Sequence, residues 1–490
     1  MRHKRQDEQH DLAISPEKKT WLLAIQNVFL AREGIAAYTP ITILVFIMFC
    51  AASWEVFLPI TDPARYQCYA LTFWLGGNAT TLLPAQQCAF LQGVHSPFAF
   101  HMLPIEYPPL TLLPFSLALF APLPYYQLAF ALIMALVVVF VHWLLLRYGP
   151  RGAGLIFTLY LLGGAVATAQ VRFDLIPAAL TLLCLIAAER RAWTTAYIAL
   201  ALGVLFKLYP ILLFPALFIA EQQSEARLPL PAHVQTRRAL LTQLWKALHT
   251  YRRWQWRNTV IFFALCIGVT AFFAMLNFQE AVVTQVSYFL HRPVQIESLQ
   301  SSLLWLITKS GIPFHVDYIY GSLNFRTPIE NAVSLPSFLC FALGSVYTLY
   351  LQWRGRIDIT QASIALLLVF IATGKVFSPQ YAIWLIPLLA YAGAFDLFWV
   401  LIWGPVAIFT TVIFAYFYTR PVPQLSVPMT PGFFQIIAIR NLLFLLIALA
   451  YLFNWFSIRH RRSLPPPVTG KETRPLVTHV PLASLPYSQE

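Results

Sequence analysis

PITDPARYQCYALTFWLGGNATTLLPAQQCAFLQGVHSPFAFHMLPIEYPPL, residues 59–110, is a polar interruption in a chain that is mainly apolar on either side of it. It opens with Thr61-Asp62-Pro63 and closes with Glu106-Tyr107-Pro108-Pro109. Of the 490 residues, 59% are hydrophobic and only 11% charged, whereas about a quarter of an ordinary soluble domain is charged. Apolar runs of roughly 17–25 residues recur along the sequence, each long enough to cross a bilayer as a helix. The fold class is therefore an all-α polytopic membrane protein, and residues 59–110 form a long loop on one face.

The first run covers 38–58. After the loop come a short run at 110–123 and longer ones at 126–146, 152–169 and 175–188. The next, 192–220, is interrupted by Lys207-Leu208-Tyr209-Pro210. Run 259–278 precedes a second long polar region at 279–334. The remaining runs are 336–353, 361–377, 381–395, 397–418 and 435–456. Residues 1–37 form a charged segment in which 21–32 is expected along the inner membrane surface. No cleavable signal peptide is expected, because the start carries mixed charge and no early apolar core. Residues 458–490 are a Pro-rich basic tail.

The net charge of +13 raises the question of nucleic acid, but the positions of the charges answer it. Lys and Arg gather before the first run, in 221–258, in the tail, and in short turns at Arg147, Arg151, Arg190, Arg191, Arg354 and Arg356. Basic residues concentrate in cytoplasmic loops, so these segments and both termini are assigned inside. No nucleic-acid partner is expected. Within the basic loop Leu241, Leu244, Trp245, Leu248 and Tyr251 recur at helical spacing, as in an amphipathic helix on the inner leaflet. The short run 110–123 carries Pro114 and Pro122 and reads as a re-entrant segment. Run 192–220 reads as two crossings that turn at Lys207–Pro210. The result is about 12 crossings by run length, with 59–109 and 279–334 outside.

Ionisable groups at membrane depth are costly and mark function or a paired partner. Asp62 lies just past the first helix, where an acid can act as general base on a hydroxyl; the plainer role is a helix cap or a solvated loop acid. Glu106 and Glu55 are further candidate acids. Arg172-Phe173-Asp174 opens a helix, and an Arg172–Asp174 capping pair is the expected role of Asp174. Lys207 either snorkels to headgroups or serves a site. Lys375 stands at another outer helix end. Arg440 lies inside an apolar run and calls for a partner. Arg172, Lys207, Arg292 and Lys375 together suit a phosphate, since basic side chains bind phosphoryl oxygens well.

Cys68 and Cys88 share the first loop; a disulfide requires that the loop face an oxidising compartment, and the sequence leaves paired and free equally open. The loop also carries Asn78-Ala79-Thr80, an N-glycosylation pattern. The sequence contains no Walker loop, Rossmann glycine fingerprint or metal-ligand spacing, so no metal and no cofactor is expected. No internal repeat of the kind common in transporters stands out. A transporter or lipid flippase is nevertheless kept open by the Pro-interrupted segments.

Six stretches, in order, carry a resemblance: TDPARYQCY at 61–69, EYPPL at 106–110, VRFDLIPAAL at 171–180, LFKLYPILLFP at 205–215, HRPVQIES at 291–298 and GKVFSPQYAIWLIP at 374–387. The chain resembles the GT-C superfamily of integral-membrane glycosyltransferases, and most of all the family 87 type related to polyprenyl-phosphate-mannose-dependent mannosyltransferases. The resemblance implies a catalytic membrane domain over 38–457 in the cell membrane. It implies transfer of a mannose-like sugar from a polyprenyl-monophosphate donor to a lipid or glycan acceptor on the extracytoplasmic face, with inversion. Asp62 would be the base and Glu106 a second catalytic acid. Arg172, Lys207, Arg292 and Lys375 would hold the lipid phosphate. Tyr107, Asp174, Tyr209, His291, Gln380 and Tyr381 would line the substrate site. The Asp-X-Asp pattern carried by some relatives is not clear here, so no metal is implied. A ligase that uses a lipid-diphosphate glycan would share the same site logic.

Overall fold

The computed structural model describes residues 34–52, 61–91, 101–166, 168–225, 251–393 and 397–453. The expected surface helix at 21–32, Glu55, most of the basic loop with Leu241–Leu248, and the tail lie outside the described residues. The chain divides into Met1–Phe456 and Ser457–Glu490, and all of the described residues belong to the first unit.

The protein is predominantly helical. Five stretches, Leu123–Tyr148, Arg257–Leu276, Glu330–Trp353, Trp399–Tyr418 and Phe433–Leu452, are long and apolar enough to cross a membrane. At 1.5 Å per residue, about 20 residues match a hydrocarbon core of about 30 Å. In chain order the helices are α1 (Gly34–Ala52), α2 (Asp62–Leu75), α3 (Leu112–Leu117), α4 (Tyr126–Tyr148), α5 (Ala153–Gly164), α6 (Leu175–Glu189), α7 (Trp193–Phe206) and α8 (Phe214–Ser224). They continue with α9 (Arg257–Leu276), α10 (Gln285–His291), α11 (Leu299–Thr308), α12 (Glu330–Trp353), α13 (Ile359–Thr373), α14 (Tyr381–Tyr391), α15 (Leu397–Val412) and α16 (Phe433–Leu452).

Length and burial divide these helices. Every residue of α14 is buried, although α14 has only 11 residues and α6 only 15. By contrast, only 11% of the apolar window of α9, and the same share of α12, is buried. Val260, Ile267 and Met275 on α9, and Leu335, Phe338 and Leu343 on α12, are exposed. In a bilayer such side chains meet lipid tails at no cost. The long helices α9 and α12 thus leave most of their apolar surface uncovered, whereas the short helix α14 is enclosed by protein.

The two ends of the bundle differ in chemistry. The chain turns between α6 and α7 at Arg190-Arg191, and Arg190 stacks 4.3 Å over the ring of Tyr148 at the end of α4. At the same end Glu189 accepts from Thr360 (2.8 Å) and Tyr391 (2.6 Å). The start of α6 and the end of α7 lie at the opposite end of this hairpin.

The described part of the first long loop is folded. Thr61 caps α2, its hydroxyl accepting from Ala64 N, and Pro63 suits a first helical turn. Cys68 and Cys88 form a disulfide, which closes the pairing the sequence left open. Gln87 donates to Ala64 O (3.0 Å) and Gln67 Oε1 (2.8 Å). The expected re-entrant run is a broken helix over 109–120, too short to cross a core of about 30 Å. It is fastened by Trp74 donating to Ser116 Oγ and Tyr126 to Phe115 O.

The second long loop contains a feature the all-helical reading missed. Strands β1 (His315–Ile319) and β2 (Ser322–Arg326) form an antiparallel hairpin. Its two-residue turn, Tyr320-Gly321, has φ of 57° and 67°, which fits a tight primed turn. Residues 294–296 lie against β2 through Phe325 N to Val294 O (2.8 Å) and Ile296 N to Leu323 O (3.0 Å). Gln295 then ties this edge to the segment after α13, donating its N–H to Lys375 O (2.8 Å) and accepting from Phe377 N (2.9 Å).

Arg440 finds the partner it required. Its Nη1 is 3.5 Å from Glu297 Oε2, with both side chains almost wholly buried. Tyr418 donates to Glu297 Oε1 (2.7 Å) and Asn441 to Glu297 O (3.0 Å). Removing one partner of a buried pair leaves an uncompensated charge, so Arg440→Met should cost about 3–5 kcal/mol. Arg440→Met with Glu297→Gln should recover much of that loss. Thermal unfolding in detergent checks both, and an unchanged single variant would show that the pair does not hold this corner together.

Candidate active site

Asp62 is the first residue of α2, directly after its cap. Its Oδ2 lies 2.5 Å from Arg172 Nη2, and each side chain is about one-fifth exposed (19% and 20%). Burial works against the guanidinium charge, but Asp62, with Tyr66, Tyr107 and Asp174 behind it, holds Arg172 above its ordinary value. Arg172 Nε is buried with no hydrogen-bond partner among the described residues.

Two residues on, Asp174 stands at the cap position of α6 but makes no capping hydrogen bond. The expected Arg172–Asp174 capping pair does not form. Asp174, 1% exposed, is instead paired with Lys207 at 2.5 Å, and Trp384 donates Nε1–H to the same oxygen at 2.7 Å. The pairing is crossed because Phe173 between the two is fully buried, and the residues on either side of it meet different elements. Arg172 meets the start of α2, and Asp174 meets the end of α7 and the first turns of α14.

Lys207 follows the last residue of α7 in extended backbone. Its ammonium lies 5.2 Å from the ring centres of both Phe173 and Trp384. Asp174 balances its charge, and Arg172 and Arg292 are near enough to oppose it. Arg292, just past α10, stacks 4.9 Å over Tyr288 and reaches Ser322 Oγ at 3.4 Å, and its Nε is buried with no hydrogen-bond partner among the described residues. Trp384 is sandwiched between Tyr209 (4.1 Å) and Tyr381 (3.8 Å). Asp62, Arg172, Asp174, Lys207, Arg292, Tyr209 and Tyr381 therefore share one neighbourhood.

The remaining candidates are placed differently. Glu106 is held 2.8 Å from Arg65, and Arg65 lies over the Phe90 ring at 4.5 Å. A Cβ at Gly321 would fall 2.6 Å from Glu106 Oε1, so the hairpin tip of the second loop rests on this ion pair of the first. Tyr107 packs edge-on to Tyr66 and Phe173, joining the pair to the cluster. Lys375 contributes its carbonyl to Gln295, but its ammonium has no ion-pair partner among the described residues. Gln380 accepts from Ser378 Oγ. His291 is exposed, and its Nδ1 lies 3.1 Å from Ser287 O. Among the described residues, no hydrogen bond or ion pair ties Lys375, Gln380 or His291 to the two acid–base pairs.

Trp384, Tyr288, Arg65 and the hairpin were not legible as site residues. Trp384 carried one available signal, a spacing of three from Tyr381, which puts both on one helix face. The cluster sets three cations, Arg172, Lys207 and Arg292, against two carboxylates, Asp62 and Asp174. Its surplus positive charge suits an anion, beside an acid able to accept a proton. No protein-family model matches the chain, and no curated protein matches it.

Trp384→Phe keeps a ring in the sandwich and removes the N–H donor to Asp174. A hydrogen bond to a charged group contributes about 1.5–3 kcal/mol, and the variant should lose that much in detergent unfolding. An unaltered midpoint would mean that Lys207 alone fixes Asp174.

Proposed function

We propose that this protein is a GT-C-type membrane glycosyltransferase. It moves a mannose-like hexose from a polyprenyl-monophosphate donor to a lipid or glycan acceptor, with inversion. The observation that carries the reading is the 2.5 Å contact between Asp62 and Arg172. It joins the acid of the first loop to a cation of the kind a lipid phosphate needs, beside Lys207 and Arg292. In this reading Asp62 takes the proton of the acceptor hydroxyl. The cations offset charge growing on the phosphate leaving group. Attack from the face opposite the leaving group inverts the sugar. Apolar surfaces between helices receive the polyprenyl tail, and the reading calls on no cofactor beyond the donor.

The site faces the extracytoplasmic side of the cell membrane in this proposal, with about 12 crossings, a re-entrant segment at 109–120 and both termini inside. The basic turns at Arg147, Arg151, Arg190, Arg191 and Arg354 support that orientation. So does a disulfide in the first loop, since disulfides persist in oxidising compartments. Glu106 acts through Arg65 and the hairpin in this scheme, supporting Asp62 from behind. Lys375, His291 and Gln380 remain assigned to the substrate on resemblance alone.

A second reading, a transporter or lipid flippase, draws on one observation. The helix pair α7 and α8 is interrupted at Lys207-Leu208, where a lysine sits in non-helical backbone, and broken helices with polar sites occur in transporters. Purified protein in nanodiscs with labelled polyprenyl-phosphate mannose and an acceptor panel separates the two. Transfer is expected from wild type, and Asp62→Asn should lower it by about 100-fold or more while remaining folded. Undiminished transfer by Asp62→Asn would remove Asp62 as base. Donor movement across proteoliposomes without transfer would favour the transporter.

A further inference from the structure

Two acid–base pairs stand side by side, and they differ in access. Asp174 is 1% exposed and held from a second side by Trp384. Asp62 and Arg172 are each about one-fifth exposed (19% and 20%). A guanidinium has five donors and keeps its charge at every accessible pH. Arg172 has its Nε–H without a partner among the described residues, so it can turn toward a new anion without leaving that donor worse satisfied than before.

We infer that Arg172 is an exchangeable partner, paired with Asp62 in the empty site and with the lipid phosphate once the donor occupies it. This rests on the transferase reading and adds to it the regulation of the base. While Arg172 engages Asp62 Oδ2, the electron pair on that oxygen that faces the guanidinium is not open to an acceptor proton. An arriving phosphate draws Arg172 away and frees it. Asp62 Oδ2 thus becomes fully available only when a donor is present.

The charges of the transfer step balance around the same arginine. The bond from the sugar anomeric carbon to the phosphate oxygen breaks, and its electron pair stays on that oxygen. The acceptor oxygen bonds to the anomeric carbon, and its proton passes to Asp62. The phosphodiester, with one negative charge, becomes a monoester of about −1.5 to −2, while Asp62 goes from anionic to neutral. Arg172 moves in the direction in which negative charge moves, so it has a partner before and after transfer. Lys207, locked by Asp174 and Trp384, contributes a fixed positive field. Arg292, with its own unused Nε–H, completes the reception of the phosphate.

The test is binding of a short-chain polyprenyl monophosphate to the full chain in detergent, by titration calorimetry. Wild type, Asp62→Asn, Arg172→Gln and the double variant are compared, with unfolding midpoints as a control for folding. Asp62→Ser serves where Asp62→Asn does not fold. Competition for Arg172 predicts that Asp62→Asn binds roughly 5-fold or more tightly than wild type, within the usual range of coupling between sites. In the Arg172→Gln background the same change should have no effect. Equal or weaker binding by folded Asp62→Asn, or a gain that survives in the Arg172→Gln background, overturns the exchange. If wild type still transfers sugar in that case, the transferase reading stands without it. If no form binds the lipid phosphate and wild type transfers nothing, both fall.

Discussion

The crossed pairing on either side of Phe173 is the constraint around which the site is organised. Burying Phe173 sends Arg172 to the first turn of α2 and Asp174 to Lys207 and Trp384. Three separate parts of the chain are thereby fastened at one point: the first loop, the α6–α7 hairpin and the start of α14. Taking charged groups out of water is expensive unless each finds a partner. The protein meets that cost with two neighbouring charge-balanced pairs, and Arg292 beside them supplies the surplus of positive charge.

The charges of the site sit among helices of unequal length. α6, α7 and α14 are short and enclosed by protein, whereas α9 and α12 are long and mostly uncovered. Asp174 and Lys207 stand at the ends of α6 and α7. Backbone that is not helical is tolerated at such a place only where protein or a water-filled cavity covers it. Lys207 is held there by Asp174, and the broken helix at 109–120 is held by Trp74 and Tyr126.

Much of this was legible in the sequence, and the part that was not has a common cause. Apolar run length located the helices, because a bilayer imposes length and composition locally. Pro and Lys punctuation located the break after α7. Arg440 inside an apolar run announced that it needed a partner, but its identity, Glu297, depends on packing between distant segments. The same holds for Asp62 and Arg172, and for Asp174, whose local motif pointed to a cap that tertiary packing overrode. The β hairpin was hidden because β1 is largely exposed or half-buried and its turn is Tyr-Gly, without the Asn-Gly or Asp-Gly signal that marks such turns. The six resembling stretches anticipated some contacts: HRPVQIES and GKVFSPQYAIWLIP touch through Gln295 and the Lys375–Phe377 backbone. They did not anticipate that the Lys375 ammonium would make no ion pair among the described residues.

The central claim is that Asp62, Arg172, Lys207 and Arg292 form one anion-receiving site with an acid beside it. An experimental structure of the full chain with a polyprenyl monophosphate bound tests this most directly. The phosphate is expected within about 3 Å of Arg172 and Arg292 donors, with Asp62 facing the space beside it. A phosphate seated elsewhere, with Arg172 still bound to Asp62 and Arg292 still directed at Ser322, would contradict the account.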